Sequence, residues 1–155
     1  MKKIDLGQAI SIFANLGVIA GIVFLGIELQ QNRQSLQAQT RSSISDTIVN
    51  LTYQQATNPK LLAIIAKLNL GQPVTEVERA QFRVLQSAYW RYRENVSYQY
   101  RIGLFDDSEY LPLREAWVGF LNRSGPVREE WCRRESIVSE DFFSEMNSLM
   151  DDPCS

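Results

Sequence analysis

Apolar positions follow three regimes along this chain. From Leu6 to Ile27, between Asp5 and Glu28, no residue carries a charge. At a rise of 1.5 Å per residue a helix of that length spans about 33 Å, enough to cross the ~30 Å hydrocarbon layer of a bilayer. From Glu28 to Thr57 neither Gly nor Pro interrupts the chain, and the first part is rich in glutamine (Gln30, Gln31, Gln34, Gln37, Gln39). That pattern predicts the same helix continuing past the membrane as a solvated stalk. Apolar spacing resumes at Ile44, Ile48, Leu51 and Tyr53, where the stalk should meet a globular part.

Beyond the stalk, apolar residues recur with helical period in short blocks separated by caps and breakers. Asn58 and Pro59 are N-cap and first-turn signals for a helix through Leu61, Leu62, Ile65 and Leu68, stopped at Gly71. Thr75 and Glu78 have the spacing of a capping box, in which each side chain satisfies a free backbone N–H of the other. They start a long helix ending at Gly103, with a core stripe of Phe82, Leu85, Ala88, Tyr89, Tyr92, Val96 and Tyr100. Asp106 to Ser108 can cap the next, through Leu113, Trp117 and Leu121, with Pro112 in or near its first turn. Ser124-Gly125-Pro126 breaks it and opens a short helix carrying Trp131. Ser139 caps the last, with Phe142, Phe143, Met146 and Leu149 turned inward. No segment alternates apolar and polar residues long enough to predict a strand. The expectation is an all-α protein: a tail over 1–5, a transmembrane helix over 6–27, a helical stalk over 28–57, a helical domain over 58–150 and a tail over 151–155.

Composition narrows the chemistry. The chain has no histidine, which removes Ser-His and Cys-His nucleophiles, imidazole bases and every His-containing metal site. Cys132 and Cys154 form no ligand motif, and free thiols are the expected state. No Gly-rich phosphate loop, zinc spacing or nucleophile elbow is present, so no cofactor or metal is expected. The apolar segment exceeds the length typical of a signal peptide and no small-residue cleavage site follows it. A net charge of −2 argues against nucleic acid as a partner. The charge is uneven, however. Arg79 to Arg101 holds five Arg against one Glu, and Glu135 to Asp152 holds six acids and no base. The two segments are expected to pack on each other.

Three sets of residues could carry function. Trp90 falls away from the core stripe, on a face with Arg83, Glu94 and Arg101. A tryptophan among charges is either covered within the chain, with the acidic segment Glu135 to Asp152 as the expected cover, or is a partner face. In the apolar segment, Gly17 and Gly21 form a Gly-x-x-x-Gly pair near Asn15, a candidate helix contact in the membrane. Glu94, Asp106, Asp107 and Glu109 could be read as a carboxylate site, but the last three suit a helix N-terminus, where acids favour the dipole.

Several stretches together resemble a family of small uncharacterised bacterial membrane-anchored proteins. They are Gln31-Asn32, Asn58-Pro59-Lys60-Leu61, Thr75 to Glu78, Glu94-Asn95, Tyr98-Gln99-Tyr100-Arg101, Gly103-Leu104, Trp117, Gly125, Trp131, Ser139 and Phe142. The resemblance covers nearly the whole chain and implies a single pass through a bacterial inner membrane with an all-helical soluble part. No activity comes with it. Lysines 2 and 3 before the anchor nearly balance Arg33 and Arg41 after it, and the resemblance tips the soluble domain toward the cytoplasm. The expected function is binding or assembly, as an accessory subunit of a membrane complex or as a homo-oligomer in the lipid bilayer. A pore-forming or membrane-perturbing effector and a membrane-tethered carboxylate enzyme are the alternatives.

Overall fold

The stops and caps read from the sequence divide the chain into helices close to where they were expected. The computed structural model describes residues 6–154, which contain six α-helices and no strand. These are α1 (Leu6–Ala56), α2 (Pro59–Asn69), α3 (Glu76–Arg101), α4 (Asp107–Arg123), α5 (Gly125–Cys132) and α6 (Glu140–Ser148). The all-α architecture, a long N-terminal helix followed by five shorter ones, is borne out. The expected tail over residues 1–5 and the last residue, Ser155, lie outside the described residues.

The chain forms two compact units, one ending at Gln39 and one beginning at Thr40. In the first, α1 is long and apolar enough to cross a membrane. Its side chains are exposed throughout from Ile10 to Leu36, with Phe13 at 74% and Phe24 at 66%.

The second unit holds the last turns of α1 and the other five helices. Ile44 is buried and Ile48 and Leu51 pack against the core, as their spacing predicts. Tyr53 is exposed instead, and Gln55 takes the next place on that face, accepting a hydrogen bond from the Tyr89 hydroxyl at 2.8 Å. The reason is periodicity: residues 44, 48, 51 and 55 share one side of a helix, and residue 53 does not. The Asn58 side chain caps α2 by accepting from the Leu61 N–H at 3.1 Å. Thr75 and Glu78 close their capping box in both directions, at 2.7 and 3.2 Å. Lys67 and the Thr75 backbone hold the Glu78 carboxyl below its usual range. Both α2 and α3 end in paired backbone bonds around a glycine with positive φ, Gly71 at 65° and Gly103 at 77°. Only glycine adopts that conformation without strain.

Helix α3 is the hub, in contact with α2, α4 and α5. Its buried surface is therefore wider than the predicted stripe. Phe82, Tyr92 and Val96 are buried as expected, while Leu85, Ala88, Tyr89 and Tyr100 are half-buried. Gln86, Trp90, Arg93 and Ser97 are buried as well, because partners cover more than one side of the helix. Pro112 sits in the second turn of α4, next to the first as expected, with Asp106 as the N-cap. On α6, Phe142, Phe143 and Met146 are buried, but Leu149 is 42% exposed and Met150 replaces it. The helix ends at Ser148, so its period no longer governs these two.

The expectation of free thiols is corrected: Cys132 and Cys154 form a disulfide, with Cα atoms 5.4 Å apart. The chain end folds back to make it possible. Asn147 accepts from the Cys154 N–H at 2.7 Å and donates to its carbonyl at 3.4 Å. The Asp151 N–H donates to Asn122 at 3.2 Å, and Asp152 pairs with Arg128. Residues 151–154 are thus strapped to α4, α5 and α6 and are not a free tail.

A disulfide across a 22-residue separation restricts the unfolded chain. Replacing both cysteines with Ser should lower stability by about 3 kcal/mol in chemical denaturation. Reduction of the wild-type protein should produce the same loss, and the double variant should be insensitive to reductant.

Candidate functional site

The Trp90 face closes within the chain. Trp90 is fully buried, with its ring centroid 4.4 Å from that of Trp131 on α5. Trp131 in turn stacks on Phe143 at 5.1 Å and meets Phe142 edge-on at 5.6 Å. The α5 tryptophan is thus part of the cover over Trp90, and α6 packs on that tryptophan. Arg83 pairs with the buried Glu130 at 3.3 Å, and Arg101 pairs with Asp141 at 3.0 Å. One oxygen of Glu94 pairs with Arg91. Its other oxygen accepts from the backbone N–H of Ser139, the α6 N-cap, at 2.6 Å. Arg83, Trp90, Glu94 and Arg101 thus line one side of α3 without converging, each engaged separately with α5, α6 or its own helix. The charge complementarity of the two segments is realised at Arg101–Asp141, while Arg83 finds its acid on α5 instead.

The carboxylates considered as a site are not brought together. Asp106 caps α4, accepting from Ser108 and from the Glu109 N–H, and Ser108 above all holds its carboxyl below the usual range. Glu109 pairs with Arg41 at 2.9 Å. Among the described residues no group of three His, Cys, Asp or Glu side chains could hold a metal ion. Asn15, Gly17 and Gly21 lie exposed on α1, with open space where a Cβ would stand on either glycine.

Two polar clusters lie deeper. The first is Glu145 on α6, which accepts from Tyr110 at 2.8 Å, Arg114 at 3.2 Å and Ser97 at 3.4 Å. Burial pushes the Tyr110 phenol far above its ordinary value, so it stays protonated and donates. These three bonds tie α6 to α3 and α4, although the buried Nε of Arg114 has no partner.

The second cluster is not satisfied. Arg93 on α3 is 8% exposed, and its Nη1 has no hydrogen-bond partner. Its guanidinium carbon lies 4.2 Å from the centre of the Trp90 ring and 5.6 to 6.0 Å from Phe120, Tyr89 and Trp117. Aromatic faces compensate a desolvated cation by about 2 kcal/mol, but they do not occupy its N–H donors. Burial pulls the Arg93 guanidinium down to about 10, opposed by Tyr89 and then Tyr92. It therefore stays charged at neutral pH. Arg93 lines a cavity of about 470 Å³ bordered by α1, α2, α3, α4 and α5. Gln86, also buried and with its Oε1 unpartnered, lines the same space, as does Arg123 from α4.

Arg93 was not singled out by sequence because it sits in an arginine-rich stretch that reads as a solvated face. A signal was nonetheless present. At 100° per residue Arg93 lies four residues from Tyr89 and three from Val96, on the apolar side of α3 rather than beside Arg83 and Arg101.

Compared with known proteins, the chain matches no protein family, no curated protein and no solved structure.

An arginine needed by the fold leaves a large defect when removed, and one held there for binding does not. Arg93→Met keeps the aromatic packing and deletes a buried charge without a counter-ion. Thermal unfolding followed by circular dichroism should show it neutral or stabilised by up to ~2 kcal/mol, whereas breaking a structural buried pair costs about 3–5 kcal/mol.

Proposed function

We propose that this chain is a single-pass bacterial inner-membrane protein whose helical domain serves binding or assembly, as an accessory subunit of a membrane complex. The observation that carries the membrane placement is the exposure of α1. A core helix of this composition would be buried, but every described side chain from Ile10 to Leu36 is exposed. Lipid is the solvent that makes such a surface favourable, at about 25 cal/mol per Å² of apolar area removed from water. The bacterial inner membrane is the placement implied by the resemblance of Gln31-Asn32 and the later motifs.

The domain is proposed to face the oxidising side. Disulfides persist outside the cytoplasm and are rare within it, and Cys132–Cys154 is one. This orientation leaves Lys2 and Lys3 in the cytoplasm, in accord with the positive-inside rule. It replaces the cytoplasmic placement expected with reduced cysteines. A binding role rests on the Arg93 cavity, which holds unpaired polar groups and no arrangement suited to acid–base or nucleophilic catalysis.

Full-length protein should remain in the membrane pellet after carbonate washing, and a Val18→Lys, Ile22→Lys variant should shift toward the soluble fraction. Extraction of the wild type by salt alone would refute the anchor. In intact spheroplasts, protease added from outside should degrade the domain, and protection from that protease would reverse the orientation.

A further inference from the structure

The cavity at Arg93 presents two cations and no acid. Its lining includes Arg93 and Arg123, the amides of Gln55, Asn69 and Gln86, and apolar walls such as Phe82 and Phe120. Four arginines elsewhere in the domain meet carboxylates directly, Arg83 with Glu130, Arg101 with Asp141, Arg114 with Glu145 and Arg128 with Asp152, and the buried Arg134 donates to the Ser87 hydroxyl and the Arg83 carbonyl. Among the described residues neither Arg93 nor Arg123 has a carboxylate partner. Arg123 is also folded back along α4. A Cβ on Gly119 would lie 3.0 Å from its Nη1, so the glycine leaves room for the guanidinium there.

We propose that this cavity binds a small organic carboxylate with an apolar body, held through Arg93. A buried guanidinium carries a desolvation penalty that an ionised carboxylate offsets through short, charge-assisted and often bidentate hydrogen bonds. The Arg93 guanidinium lies over the Trp90 ring and lines the cavity, and its Nη1 has no partner within the chain. The rest of the wall selects the body of the ligand. Phosphate or sulfate gains from a dense set of donors and nothing from Phe82, Leu85, Phe120 and Val127, whereas a hydrocarbon or aromatic body buries against them. Gln86, with a buried oxygen lacking a donor, can accept from a hydroxyl or amine on that body. Arg123, exposed on α4, would attract the anion without being its buried partner. A volume of about 470 Å³ falls in the usual range for small-molecule sites.

This inference deepens the binding part of the proposed function and rests on it. Membrane attachment is tested separately by carbonate extraction, so either can fail alone. The test is isothermal titration calorimetry on the full-length chain in detergent micelles, with benzoate, its uncharged counterpart benzamide, and inorganic phosphate as probes. Benzoate should bind saturably with a dissociation constant of about 1 mM or tighter. Benzamide and phosphate should bind at least about ten-fold more weakly, and Arg93→Met should lose benzoate affinity by at least about ten-fold. Arg93→Lys should retain part of it, and circular dichroism should show both variants as helical as the wild type. Arg123→Gln should weaken binding by about two- to five-fold and reduce its salt dependence. Equal affinity for benzamide, unchanged benzoate binding in a folded Arg93→Met variant, tighter binding of phosphate, or no saturable benzoate heat would each overturn the proposal.

Discussion

The domain closes on the contact between Trp90 and Trp131. Both indoles are fully buried, and each is among the largest side chains the chain can remove from water. Burying a large apolar side chain is worth about 1.5–3 kcal/mol, and the tilted ring pair adds about 0.5–1.5 kcal/mol beyond area. Through this contact α5 is held on α3. Phe142 and Phe143 pack on the remaining sides of Trp131 and dock α6. The same indole, Trp90, has the Arg93 guanidinium 4.2 Å from its centre, so one residue supports both the closure of the core and the wall of the cavity.

Charge has a different task in this architecture. An ion pair at the surface contributes ~0–1 kcal/mol, too little to hold α6 in place. Its value lies in direction. Glu94 reaches from α3 to the backbone N–H of Ser139, the N-cap of α6, and so accepts from a donor at the start of that helix. Glu145 meets Ser97, Tyr110 and Arg114 from two other helices, so a rotation of α6 would break three hydrogen bonds at once. Apolar burial holds the helix, and these bonds determine which way it faces. Arg93 departs from this pattern: Arg114 and Arg134 also leave a buried Nε unpartnered but are anchored by other hydrogen bonds, whereas Arg93 is held by aromatic faces and its Nη1 has no partner.

The sequence by itself determined the helices and their ends. Capping depends on neighbours three or four residues away, so Asn58, the Thr75–Glu78 pair, Asp106, Gly71 and Gly103 are legible without a structure. The membrane-length helix is equally legible, because an uncharged run of that length has no other favourable solvent than lipid or a core. Burial within the domain was legible only in part. A stripe drawn for one helix face located Phe82, Tyr92 and Val96. It missed Gln86, Trp90, Arg93 and Ser97, because the width of a buried surface depends on how many helices pack around it.

The tertiary structure decided three matters that no local rule reaches. It set Trp131 of α5 against Trp90 and packed Phe142 and Phe143 of the acidic segment on Trp131. It paired Cys132 with Cys154 by folding the chain end back through Asn147 and Asn122. It placed Arg93 in an acid-free cavity while giving Arg83 and Arg101 their carboxylates. In each case the deciding quantity is which groups remain unpaired once distant segments meet, and helical periodicity carries no information about partners many turns away.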